Sequence, residues 1–369
     1  MPSAKLNRTF IRYIPFVTIW IVFGVTYSIV EYGILGDSTF YPSTRNQYDF
    51  GRNISYVFPA TILMGILQGY IEMVWLKKRF QKTALWLKVI IKTIIYILFI
   101  IVFLILFSTL NSMQTFNEGP FDAHVVEEFN NFFNDFAFWS IVMYTGIGAF
   151  FALLFSEITD YFGSQVFYNF LFGKYHQPNE ELRIFMFLDM KSSTTIAETI
   201  GHEKYFNLIN AYYSDMTNAI VETYGEIYQY VGDEIVVSWK ADKGIENNNC
   251  IQCFFEIEKA IQKREDFYLE SFGIFPEFKA GIHMGSVTSG AIGILKKDIV
   301  FTGDVLNTAA RIQSKCNTYN SKCIVSKIIK DTLAQDSNLQ FSHLGHLALR
   351  GKKNTIELYD LKQKVKNDS

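Results

Sequence analysis

Four long apolar runs fill the first 160 residues of the chain, and short alternating apolar and polar segments fill the rest. The runs lie at about residues 10–32, 56–76, 87–110 and 136–155. Each is about twenty residues long, the helix length that crosses roughly 30 Å of hydrocarbon. The third, built on VIIKTIIYILFIIVFLILF, is the strongest. The first is too long for a signal peptide and lacks a small-residue cleavage site, so it reads as a span. From about residue 182 the periodicity changes. The pattern predicts a strand at 183–189, helix over 194–224 interrupted near Gly201, and strands at 226–231 and 234–239. A helix at 248–267, strands at 277–283, 286–294 and 298–301, and a helix at 304–316 follow. A strand at 323–326, a short helix and strands near 341–349 and 356–361 close the chain. Hairpins mixed with helices argue for an α+β domain, not a doubly wound sheet.

Three regions result: a membrane domain of four transmembrane helices at 1–156, a connector at 157–180, and an α+β domain at 181–369. Within the connector, residues 161–172 have the spacing of an amphipathic helix, and Gly173 to Pro178 break it. A dimerising, signal-passing helix and a plain membrane-surface helix fit it equally.

Charge sets the expected orientation. Lys5, Arg8 and Arg12 precede the first span, and Lys77, Lys78, Arg79, Lys82 and Lys88 follow the second. The loop 111–135 has no Lys or Arg but five acidic residues. The positive-inside rule then puts the N-terminus, the basic loop and the second half in the cytoplasm. Glu72, Lys92 and Glu157 lie in or at the ends of spans. Glu72 and Glu157 are expected to snorkel to the interface. Lys92 sits about a turn inside its span and is harder to dismiss as a ligand or coupling residue. The outer loops, 33–55 and 111–135, are too long for minimal connections and leave room for an unknown extracytoplasmic ligand.

Composition adds little to this. Of 369 residues 49% are hydrophobic, and the net charge of −2 gives no field that would favour nucleic acid. The four cysteines, Cys250, Cys253, Cys316 and Cys323, all fall in the polar half. The single C-x-x-C has no second Cys/His pair at zinc spacing, so buried reduced thiols are expected.

The candidate chemistry sits on three segments. Phe185-Met-Phe-Leu-Asp189-Met-Lys-Ser-Ser-Thr194 reads as a buried strand that delivers Asp189 to its tip and then opens a helix. Tyr230-Val-Gly232-Asp233-Glu234 reads as a hairpin with Asp233 at the turn. Two adjacent strands bring these carboxylates together, where they share a proton or hold a cation. Two divalent ions roughly 3.5–4 Å apart would suit in-line displacement at phosphorus. Ser192, Ser193 and Thr194 at a helix start, with Lys191 beside them, suit a triphosphate. A strand-tip Asp with a Ser/Thr cap is also plain structure. Gly303-Asp304-Val-Leu-Asn307-Thr-Ala-Ala-Arg311 places Asn307 and Arg311 on one helical face, where they can orient a ribose and stabilise charge on pentavalent phosphorus. His283 beside Gly285 is expected to be a core histidine. No Walker or G-x-G-x-x-G loop is present.

Residues 182–361 resemble the catalytic domain of class III nucleotidyl (adenylate/guanylate) cyclases. The resemblance rests on FLDMKSSTTIAE, YQYVGDEIVV, AGIHMGSVTSGAIG and FTGDVLNTAARI. Four spans before one such domain also resemble the bacterial membrane-anchored type. The resemblance implies a ferredoxin-like core and a head-to-tail homodimer with active sites at the interface. It makes Asp189, Asp233 and the Met190 carbonyl ligands of two Mg2+ or Mn2+ ions. Asn307 and Arg311 become a transition-state pair supplied by the partner subunit, and Lys352 a second phosphate-binding base. The implied function is a multi-pass adenylate cyclase of the cell inner (plasma) membrane, converting ATP to cyclic AMP and pyrophosphate in intracellular signalling.

The sequence departs from the family at the two base-selecting positions, which hold Gln229 and Val300. Gln both donates and accepts, and so excludes no base; Val offers no hydrogen bond. Thr302 or Asp298 nearby would have to substitute for it. ATP is therefore implied by family frequency, and GTP or a pyrimidine nucleotide stays open. Ser286 stands where some members carry an arginine. A catalytically silent membrane receptor is the alternative of another class, and the intact Asp189, Asp233, Asn307 and Arg311 argue against it. A diguanylate cyclase would share the Gly-Asp-Glu hairpin but has no counterpart of the Asn307–Arg311 helix.

Overall fold

A computed structural model describes residues 4–40, 47–80, 83–163, 167, 173, 177–295, 298–333, 336, 338–348 and 355–364. Contacts separate a helical unit, Asn7–Tyr168, from a second unit containing Asn169–Ser369. Most of the expected connector helix at 161–172 lies outside the described residues, as does Lys352.

The helical unit consists of α1 (Ala4–Leu35), α2 (Phe50–Ile71), α3 (Leu85–Phe116), α4 (Ala123–Asn134) and α5 (Phe136–Phe162). Four segments in it, Phe10–Leu35, Phe50–Leu76, Leu85–Gln114 and Phe136–Tyr161, are long and apolar enough to cross a membrane. Their apolar side chains point largely outward: Ile94, Leu98, Val102 and Leu106 form an exposed stripe along α3. Small residues let the helices approach each other. A Cβ on Gly65 would stand 2.6 Å from Val17 Cα, and one on Gly69 2.7 Å from the Tyr13 ring. The segment 111–135, expected as an open connection, is mostly helical, because α3 runs on to Phe116 and α4 follows.

The expected snorkelling of Glu72 and Glu157 is not found. Both are buried, at 5% and 7% exposure, and Lys92 is fully buried. The Lys92 ammonium pairs with Glu72 and, at 3.0 Å, with Glu157 Oε1. Lys88 Nζ reaches Glu157 Oε2 at 2.8 Å. Opposite charges on neighbouring helices satisfy one another inside the bundle, so neither carboxylate has to reach the interface. Glu72 opens a π-helical turn, Glu72–Leu76, that prolongs α2.

The second unit is built on one mixed sheet of eight strands in the order β2-β3-β1-β4-β6-β8-β7, with β5 also on β4. The strands are β1 (Asn179–Met190), β2 (Glu226–Val231), β3 (Glu234–Lys240), β4 (Phe278–Ile292), β5 (Asp298–Thr302), β6 (Cys323–Ser326), β7 (Leu339–Ala348) and β8 (Thr355–Gln363). The helices used below are α6 (Ser193–Ile200), α7 (His202–Glu222), α8 (Asn249–Gln262), α9 (Glu265–Phe272) and α10 (Asp304–Ser314). β1 is central and antiparallel to both β3 and β4. Its unbroken apolar run follows from burial on both faces. Ile184, Met186 and Leu188 pack with α7 and α8, while Phe185 and Phe187 pack with Val305 and Ala309 of α10.

Two expected boundaries are corrected. The strands expected at 277–283 and 286–294 are one strand, β4. Gly285 marks no turn; its missing Cβ admits Val305, whose Cγ2 would lie 2.6 Å away. The helix expected at 248–267 ends at Gln262, and α9 starts at Glu265. There Arg264 leaves helical geometry; it stacks on Phe267 at 3.8 Å and donates to Asp215 at 2.6 Å. Elsewhere in this unit the expected elements are found with ends shifted by a few residues.

Candidate active site

Asp189 occupies the second-last position of β1, opposite Glu234 on β3 and Lys279 on β4. Asp233 lies in the two-residue turn between β2 and β3. Gly232 has φ +64° and Asp233 has no positive φ, the pattern of a type II′ hairpin. Tyr213 of α7 clamps this turn, its one hydroxyl proton shared between the carbonyls of Gly232 (2.9 Å) and Glu234 (3.1 Å). Ser192, at φ +56°, turns the chain from β1 into α6. That turn brings Ser193 within hydrogen-bond reach of Asp233. The two aspartates expected to meet are thus neighbours, with Ser193 and Tyr205 beside them.

Three carboxyl groups, Asp189, Asp233 and Glu234, crowd one another here. Burial, and then the neighbouring Asp189, raise the Asp233 carboxyl above its ordinary range, while Ser193 opposes the shift. Glu234 is pushed up to about 7 by burial and by the charges of Asp189 and Asp233. Asp233 Oδ2 is buried and has no hydrogen-bond partner. An orphaned carboxylate oxygen in a site crowded with acids fits a metal ligand. Among the described residues no group of three His, Cys, Asp or Glu side chains forms a cage. Mg2+ is commonly held by one or two carboxylates plus substrate phosphates, so two aspartates suffice.

The other expected residues are spread around this centre. Met190 forms the last rung of β1, opposite Phe278. Lys191 Nζ lies 3.0 Å from Glu277 Oε2. Asn307 is exposed and Arg311 half-buried on α10, and neither has a side-chain hydrogen bond or ion pair among the described residues. No contact in this chain joins them to the aspartates among the described residues. Gln229 is exposed on β2, and Val300 is half-buried on β5 opposite Gly290. Their strands are not paired, but the side chain of Tyr228, next to Gln229, reaches β5 beside Val300, where the Phe301 amide donates to Tyr228 Oη at 3.4 Å.

Two residues that sequence reasoning missed complete the site. Gln313 Nε2 donates to Asp189 Oδ2 at 3.0 Å, and Lys279 Nζ lies 3.2 Å from the same oxygen. The available signal was a lysine inside an apolar strand and a glutamine on the apolar side of α10. Either reads as a lapse in pattern until its partner is known.

The sequence profile described as the adenylate and guanylate cyclase catalytic domain matches residues 175–363, more than half of the chain. The chain belongs to that family. The cyclase domain is similar to adenylate cyclase 2 of Rhizobium meliloti, 28% identical over 205 residues, 56% of this chain and 56% of that protein. It is 26% identical over 184 residues to the adenylate cyclase of Anabaena cylindrica, covering 48% of this chain and 36% of that one. The chain thus spans little more than half, at most, of these curated relatives. Among solved structures, a bacterial light-regulated adenylyl cyclase has a TM-score of 0.45 at 23% identity, over 51% of this chain and 54% of that chain. The guanylyl cyclase Cya2 has a TM-score of 0.45 at 18% identity, over 52% and 96%.

His283 and the four cysteines lie away from this centre in the packing of the sheet and helices. His283 Nδ1 lies 2.8 Å from Ser326 Oγ in the half-buried centre of β4. All four cysteines are free and buried, and burial pushes the thiols of Cys250, Cys253 and Cys316 up to about 12. Such thiols are poor nucleophiles and poor metal ligands at neutral pH.

Proposed function

We propose that this protein is a membrane-anchored adenylate cyclase that acts as a head-to-tail homodimer. The observation that carries this reading is the pairing of Asp189 with Asp233 at the end of the sheet, with Asp233 Oδ2 buried and unpartnered. In the reaction the ribose 3′-oxygen attacks the α-phosphorus of ATP and loses its proton to solvent. The bond to the bridging oxygen breaks, giving cyclic AMP and pyrophosphate. Asp189, Asp233 and the Met190 carbonyl would hold two divalent cations, Mg2+ or Mn2+. Bound there, these supply the Lewis acidity that activates the attacking hydroxyl and screens phosphate charge.

The chain's own residues do the rest. Ser192, Ser193 and Thr194 present the start of α6 to the triphosphate. Lys191 exchanges Glu277 for a phosphate oxygen, and Lys352 adds a second cation. Asn307 and Arg311, lacking partners in their own chain among the described residues, orient the ribose and stabilise charge on phosphorus in the partner's site. Gln229 and Val300 flank the base. The chain order β1-helix-β2-β3-helix-β4, with sheet order β2-β3-β1-β4, supports a ferredoxin-like core. The Lys and Arg distribution supports an N-terminus and a cyclase domain on the cytoplasmic side of the plasma (inner) membrane.

The relatives named as adenylate cyclases favour ATP. Gln229 and Val300 favour no particular base, which keeps GTP and the pyrimidine nucleotides as a second reading. The test is a product assay on purified full-length protein, with ATP, GTP, CTP and UTP offered separately with Mg2+ and with Mn2+. Cyclic AMP as the dominant product supports the proposal. Another cyclic nucleotide keeps the mechanism and replaces the substrate. No product from any nucleotide that binds would favour a silent receptor.

A further inference from the structure

One helix carries residues for what the homodimer reading makes two different active sites. α10 bears Asn307 and Arg311 on its accessible side. Gln313, two residues beyond Arg311 and so roughly 200° further round the helix, lies on the sheet side and is 6% exposed. Its Nε2 donates to Asp189 Oδ2 at 3.0 Å, and Lys279, 9% exposed on β4, approaches the same oxygen at 3.2 Å. Two donors on one oxygen fix the rotation of the carboxylate and leave its other oxygen for a cation.

The helix has no freedom to slide where this happens. A Cβ on Gly281 of β4 would stand 2.3 Å from Gln313 N and 2.6 Å from Gln313 Cα. Backbone meets backbone at the residue that holds Asp189. A displacement of α10 is therefore felt at Asp189, and the reverse.

We propose that Gln313 is a positioning residue that couples the two active sites of the dimer. It fixes Asp189 in its own chain's site and, through α10, the Asn307–Arg311 pair lent to the partner's site. This rests on the shared-interface reading, and the test separates the two. A heterodimer of Asp233→Ala and Arg311→Ala chains has one complete site. Its aspartates come from the Arg311→Ala chain, and its Asn307 and Arg311 from the Asp233→Ala chain.

Gln313→Met keeps length and shape but removes the donor. Added to the Arg311→Ala chain, it acts on the live site's Asp189. The Mn2+ concentration for half-maximal turnover should then rise about tenfold, as for other outer ligands of metal sites, with kcat at saturating Mn2+ little changed. Added instead to the Asp233→Ala chain, it loosens the helix that lends Arg311. There kcat should fall severalfold at an unchanged Mn2+ requirement. In the Gln313→Met homodimer without nucleotide, electron paramagnetic resonance of free Mn2+ should read binding weakened about tenfold. Gln313→Asn, which withdraws the amide by one carbon, should act in the same direction and serves if the Met variant unfolds in a thermal melt. Unchanged kcat in the second placement overturns the coupling. An unchanged Mn2+ requirement in the first, or unchanged Mn2+ binding, overturns the positioning of Asp189. An inactive parental heterodimer, with mixed dimers demonstrated, overturns the shared interface and the coupling with it.

Discussion

Asp233 holds its place through a turn that only a few residues could make. Gly232 supplies the positive φ, Tyr213 ties the carbonyls on either side of Asp233, and the half-buried carboxylate is left with its buried Oδ2 unmet. Asp233→Ala removes that orphan without touching the turn. Turnover should fall below detection while the thermal midpoint without metal stays the same or rises. Activity near wild type would sink the metal assignment. Both aspartates were legible in the sequence because strand tips and Gly-Asp turns leave a mark in the pattern. Lys279 and Gln313 were not. A polar side chain on an apolar face becomes meaningful only once its partner, here Asp189, is brought across the fold.

At the scale of elements, the contact of α10 with β4 sets the geometry of the site. Gly281→Ala forces a Cβ against the backbone of Gln313, so the helix must lift. Overpacking of this kind costs about 1–3 kcal/mol, which a denaturant titration of the full-length protein should register together with weaker Mn2+ binding. The glycine at 285 misled the sequence reading for a related reason: it looked like punctuation and is a slot for Val305. Residue periodicity likewise ran through Arg264, where the bond to Asp215 and the stack on Phe267 end the helix early. In the helical unit, Lys92 binds carboxylates from two other helices. Lys92→Met alone leaves buried carboxylate without its counter-ion and should cost about 3–5 kcal/mol, read as a lower unfolding midpoint in detergent. Pairing it with Glu72→Gln should recover most of the loss. Equal midpoints for all three proteins would remove the cluster from any account of stability.

For the whole molecule, two different demands are written in one chain, one in each unit. The helical unit was legible because length and hydropathy alone pick out helices able to cross a membrane, and the order of the cyclase motifs identified the second unit. Lost from view was everything that depends on two helices meeting, the Lys92 cluster above all. At this scale the expectation is complementation: Asp233→Ala and Arg311→Ala chains, each inactive alone, should together regain up to half the activity per mixed dimer. Activity that never returns would mean that each chain works with its own Arg311. The Lys92 cluster also bears on how the protein is made. Glu72, Lys92 and Glu157 are synthesised in that order on three different apolar segments, and in a membrane-anchored protein each charge would oppose the entry of its own segment into lipid. The neutralising partners arrive one after another, the last of them at the end of α5. On the membrane-anchored reading, integration into the bilayer is then a joint act of several segments: a nascent chain that stops short of Glu157 has Glu72 for Lys92 but lacks the carboxylate that pairs Lys88.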